Sequence, residues 1–190
     1  HMEELFVKLK NKQLNRIAIM GGTFDPIHYG HLVTAEAVRT RYNFDRVIFI
    51  PSGIPPHKTG VKVTSSEHRY TMVQLATASN PYFQVSRMEI DRHGSTYTID
   101  TVKELRSVLG SSLDIYFITG ADAVLEILTW KNASELLSMC NFIAVTRPGY
   151  DRSVLEDKVR ELKEAFNSHI MITDVPAFNI SSTEIREKAA

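Results

Sequence analysis

Apolar residues come in short unbroken runs that stop at glycines, prolines or polar turns. Arg16-Ile17-Ala18-Ile19-Met20 stops at Gly21-Gly22, and Arg46-Val47-Ile48-Phe49-Ile50 stops at Pro51-Ser52-Gly53. Asp114 to Thr119 stops at Gly120, and Phe142 to Thr146 ends shortly before Pro148-Gly149. Continuous runs of this kind, rather than strict alternation, predict strands buried on both faces. Gln84 to Ile90 and Ile170 to Thr173 read as further, shorter strands. Between the runs lie segments with helical periodicity: 29–42, a helix capped by Ser65 or Ser66 and running to about Ser79, 99–109, 121–128, 133–139 and 152–166. In the last of these, Val154, Leu155, Val159, Leu162 and Phe166 fall on one face. Ser181 or Ser182 starts a final helix. Residues 51–64, with Pro55-Pro56 and Gly60, read as a loop.

Alternating strands and helices predict an α/β fold, a Rossmann-like doubly wound parallel sheet. Such sheets bind ligands beyond the carboxyl ends of their strands, where the strand order reverses. The glycine turn after the first strand is therefore the first place to look. Residues 1–15 read as a tag remnant, His1-Met2, and a lead-in of undecided structure; residues 16–190 read as one domain.

Composition narrows the chemistry. The chain has 190 residues, 43% of them apolar and 23% charged, enough for a core without staples. Lys plus Arg and Asp plus Glu are both 22, so the formal charge is zero. That argues against a nucleic-acid-coating or membrane-surface protein and leaves phosphate binding to a few focused groups. The single cysteine, Cys140, sits in an apolar context and reads as a buried, inert thiol. No apolar run approaches the length of a membrane span and no signal peptide is visible, so a cytoplasmic setting is expected.

The first turn carries the strongest chemical signal. Gly21-Gly22 would let the backbone approach a ligand closely and adopt conformations other residues avoid. A helix starting near Tyr29 to His31 presents free N–H groups that favour an anion. His28 and His31 are three residues apart and would project to one side of that start. Two imidazoles there make a phosphate clamp; a metal pair or two core histidines are the competing readings. Ser181-Ser182-Thr183 with Arg186 one turn on reads either as a plain helix cap or as a second phosphate grip.

Gly22-x-Phe24-x-Pro26-x-His28-x-Gly30-His31 resembles the signature of the H-x-G-H nucleotidyltransferase superfamily, and Ile180-Ser181-Ser182-Thr183-Glu184-Ile185-Arg186 resembles its I-S-S-T-x-I-R motif. The resemblance implies His28 and His31 as catalytic groups on the triphosphate. It implies Gly21, Gly22, Thr23, Phe24 and Gly30 as ATP-binding, with Ile180, Ser181, Ser182 and Arg186 holding the outer phosphates. No covalent nucleophile is then needed: the phosphate of a second substrate attacks, pyrophosphate leaves, and Mg²⁺ comes with the ATP phosphates.

Four further stretches resemble the bacterial nicotinate-nucleotide adenylyltransferases. Pro55-Pro56-His57-Lys58 implies Lys58 near the ATP phosphates, although the bare residues read equally as a surface loop. Gly94 to Thr101 implies Tyr97 and Thr98 at the pyridine carboxylate, and Thr98 also reads as a helix cap. Gly120-Ala121-Asp122 followed by Trp130-Lys131 implies Gly120 and Asp122 on the ATP side. It implies Trp130 and Lys131 beside the nicotinate ring, where a flat indole can stack. Arg147, in Thr146-Arg147-Pro148-Gly149, is a candidate nicotinate-nucleotide contact or a structural ion-pair partner. His68, His93, His169 and Arg69 read as structural. The resemblance implies ATP and nicotinate mononucleotide as partners, without nucleic acid or membrane, and leaves a homo-oligomer open. It covers residues 16 to 188, and family members usually continue with further helices beyond that point. Phosphopantetheine adenylyltransferase shares the fold but carries Thr where this chain has His28. A nucleotide-binding sensor without catalysis is the reading from another class.

Overall fold

The structure, a computed structural model, describes residues 14–53 and 63–176. Six strands form one sheet: β1 (Arg16–Gly22), β2 (Arg46–Pro51), β3 (Phe83–Val85), β4 (Asp114–Gly120), β5 (Asn141–Thr146) and β6 (Ile170–Asp174). Every pairing is parallel and the order is β3-β2-β1-β4-β5-β6. This is the doubly wound order, and its reversal lies between β1 and β4.

The helices are α1 (Tyr29–Tyr42), α2 (Ser66–Thr77), α3 (Met88–Asp91), α4 (Thr98–Leu109), α5 (Ala121–Leu125), α6 (Ala133–Met139) and α7 (Ser153–Phe166), with a 3-10 turn at Ile127–Thr129. Two apolar clusters lie on opposite faces of the sheet. One gathers Ile17, Ile19, Ile48, Ile50, Ile115 and Phe117 with α4, α6 and α7; the other gathers Ala18, Met20, Phe49 and Ile118 with α1 and Val73 of α2. Successive residues of β1 thus serve opposite cores, which is why its run is apolar throughout. Among the described residues, no helix is long and apolar enough to cross a membrane.

Three expectations change. The strand expected from Gln84 to Ile90 ends at Val85. The Ser86 hydroxyl there accepts from the Met88 N–H, and the chain turns into α3. Helix α2 stops at Thr77 rather than near Ser79. In α7, Leu155 and Leu162 are fully buried and Val159 and Phe166 pack beside them, but Val154 is 61% exposed. Leu155, one position further round the helix, takes the core-facing place. Ser65 is the α2 cap, its hydroxyl accepting from the His68 N–H at 3.3 Å. Cys140 is buried, and burial pushes its thiol up to about 12.

Candidate active site

The site grows from the tip of β1. Strand pairing continues through Gly21 and Gly22, which align with Ile50 and Pro51 of β2. Neither glycine has a positive φ, so the turn does not use them for the left-handed region. That conformation falls on Phe24, at φ 52. A side chain this large rarely adopts it, so the surroundings must hold it there. The Phe24 ring is buried, stacked 6.0 Å from Phe49 and edge-on to the His31 ring at 5.0 Å.

His28 is the N-cap of α1 and His31 is its third residue. Their rings lie 3.8 Å apart, centre to centre, tilted by 31°. The His28 backbone N–H donates to Nδ1 of His31 at 3.1 Å. In the neutral ring the proton is therefore on Nε2, which is left to donate outward. Burial lowers both imidazoles below their ordinary range; His31, depressed further by charge on His28, falls to about 4. Both shifts favour the neutral imidazole. Gly30, the buried residue between them, is the second residue of the helix whose amides and dipole favour an anion.

Beside this turn a cavity of about 650 Å³ opens between the ends of β1 and β4. Gly21, Gly22 and Thr23 line it together with Tyr97, Thr98, Trp130 and Lys131. Tyr97 is the N-cap of α4 and Thr98 its first residue, so the cap falls one position earlier than Thr98. Trp130 ends the 3-10 turn and stands edge-on to Phe142 at 6.3 Å. The Lys131 ammonium lies 4.5 Å above the Tyr97 ring and 3.9 Å from the Asp100 carboxylate.

A second cavity, about 190 Å³, lies between the ends of β4 and β5, lined by Gly120, Asp122, Thr146, Arg147 and Tyr150. Arg147 is thus beside Gly120 and Asp122 and is not brought to the cavity that holds Thr98 and Trp130. Lys58, Ile180, Ser181, Ser182 and Arg186 lie outside the described residues.

The sequence pattern of the cytidylyltransferase-like family matches residues 19–188. A Thermoanaerobacter protein named "probable nicotinate-nucleotide adenylyltransferase" is 58% identical over 92% of this chain and 83% of its own length. A Moorella thermoacetica protein of the same name is 58% identical over 90% of this chain and 79% of its own. The chain belongs to the nicotinate-nucleotide adenylyltransferase family. The fold agrees with a solved structure, the Plasmodium falciparum nicotinic acid mononucleotide adenylyltransferase complexed with NaAD. That structure aligns at a TM-score of 0.73 and 21% identity, over 91% of this chain and 83% of the other.

Several residues of the larger cavity carry no motif signal. Ser52, Glu89 and Thr119 line it outside the motif stretches, and Thr96 lines it within Gly94 to Thr101, where only Tyr97 and Thr98 were singled out. Glu89 accepts from the Thr101 hydroxyl at 2.7 Å, and burial raises its carboxyl above the usual range. A polar residue at a strand end or helix start was the available clue for each.

Proposed function

We propose that this enzyme transfers AMP from ATP to nicotinate mononucleotide, giving nicotinate adenine dinucleotide and pyrophosphate. The observation that carries the assignment of roles is a close histidine pair at a helix start, a few residues along the chain from Gly21, Gly22 and Thr23, which line the same cavity as Trp130. The pair and the amides around it suit the triphosphate; the indole and the Thr98 end of α4 suit a flat, anionic pyridine.

A phosphate oxygen of nicotinate mononucleotide attacks the α-phosphorus of ATP. The bond from that phosphorus to the bridging oxygen breaks, and pyrophosphate carries the electron pair away. The attacking group is already an anion, so no general base is required. The contribution of the chain is alignment and charge stabilisation: Nε2–H of His31 and the His28 ring donate to oxygens whose charge grows in the transition state. Gly21, Gly22 and Thr23 keep the backbone close to the line of transfer. Gly120, Asp122 and Arg147 take the ATP side, and Tyr97, Thr98, Trp130 and Lys131 take the nicotinate side.

Among the described residues, no three His, Cys, Asp or Glu side chains converge to hold an ion. Mg²⁺ would enter with the ATP substrate, where it would lower the repulsion among the phosphates.

The test is product analysis after incubation with ATP, nicotinate mononucleotide and Mg²⁺. A dinucleotide and an equal amount of pyrophosphate are expected. ATP binding without either product overturns the assignment and favours a non-catalytic sensor.

A further inference from the structure

Arg69 begins as an unremarkable arginine in the first turn of α2, yet it is only 2% exposed. Its Nη1 donates to the carbonyls of Thr23 at 2.7 Å and Ser52 at 2.8 Å. Its Nε donates to the Thr64 carbonyl at 2.8 Å, and its Nη2 to the Gly53 carbonyl at 3.1 Å. One planar guanidinium thus ties the β1 turn, the β2 turn and the approach to α2. Its fork geometry is what allows this; an ammonium delivers its donors from a single point.

Two of those carbonyls belong to residues that line the larger cavity, Thr23 and Ser52. A trans peptide holds its C=O and the following N–H on opposite sides. With the Thr23 carbonyl turned to Arg69, the Phe24 N–H points away from it. The same bond fixes the plane leading into the positive φ of Phe24, whose ring packs against His31.

We propose that Arg69 is a positioning residue for adenylyl transfer: by gathering the carbonyls of Thr23, Ser52, Gly53 and Thr64, it fixes the peptide plane that sets Phe24 against His31. It touches no substrate and acts through Phe24. The inference rests on the transfer activity proposed above for its kinetic part and on the free protein alone for its spectroscopic part.

The variants are R69K and R69Q, with R160A as a surface control. In both Arg69 variants kcat falls roughly 10- to 100-fold, as expected for misplacement of a donor. Nicotinate mononucleotide binding, followed through the fluorescence of Trp130, the one tryptophan, changes less than about threefold on the same argument. The ring resonances of His31 in the free protein shift in R69K and R69Q and stay in place in R160A. Any of three results overturns the proposal: kcat within about twofold of wild type, equal loss of kcat and nucleotide binding, or both variants unfolded by circular dichroism. An inactive wild type defeats the assigned reaction, and the His31 resonances then decide the positioning role by themselves.

Discussion

The His28 backbone N–H and the His31 Nδ1 form a 3.1 Å hydrogen bond that fixes both the orientation and the tautomer of the second ring. The ring is then neutral in the folded free protein, with a pKa lowered from 6.5 to about 4. A group that binds protons more weakly when folded makes stability rise with pH through the window between its two values. Stability is therefore complete above about 6.5 and declines as pH falls towards 4, by at most about 3 kcal/mol from this ring. Urea melts at pH 7 and pH 5 should show the loss, and it should shrink in His31→Ala, leaving the part due to His28. Equal stability at the two pH values contradicts the assignment.

The same ring is expected to act mainly in the transition state. His31→Ala should lower kcat roughly 100- to 1000-fold, the cost of one preorganised donor. Nicotinate mononucleotide affinity should change far less. Loss of both by the same factor, in steady-state kinetics and direct titration, would assign the ring to ground-state binding instead.

Trp130 lines the larger cavity and makes a T-shaped contact with Phe142 at 6.3 Å. Trp130→Ala should raise the KM for nicotinate mononucleotide roughly tenfold, in line with the loss of a stacking surface. The KM for ATP should hardly move. Initial rates with each substrate varied in turn separate the two.

Arg147 shares its cavity with Gly120 and Asp122 rather than with Thr98 and Trp130. Arg147→Ala should therefore weaken ATP more than nicotinate mononucleotide. The opposite ratio of KM changes would return Arg147 to the nicotinate side.

Gly53 sits where a Cβ would lie 2.4 Å from the Glu89 backbone oxygen. Neither backbone can yield cheaply, so Gly53→Ala should cost about 1–3 kcal/mol, as overpacking does. A thermal melt lowered by several degrees is the expected readout, and an unchanged melt would show that α3 can shift.

Much of this was legible in the chain. The unbroken runs at β1, β2, β4 and β5 announced a parallel sheet, and the spacing of His28 and His31 placed both on one side of the helix start. What was not legible depended on tertiary partners. Met88 and Ile90 alternate as strand residues do, and only the bond from the Met88 N–H to the Ser86 hydroxyl marks the turn into α3. The glycine pair suggested the left-handed turn residue, but Phe24 takes it because its ring has Phe49 and His31 to pack on. Arg147 follows a strand in sequence without revealing on which side of β4 that strand lies. Arg69 reads as structural from the chain, but its acceptors are not legible there, because they come from 5 to 46 residues away.

The central claim is the identity of the acceptor. Pyrophosphate release should be measured with ATP and Mg²⁺ against three acceptors in parallel: nicotinate mononucleotide, nicotinamide mononucleotide and phosphopantetheine. The expected result is the highest kcat/KM with nicotinate mononucleotide, a lower value with the amide, and none with phosphopantetheine. Release driven best by phosphopantetheine, or by none of the three, would contradict it.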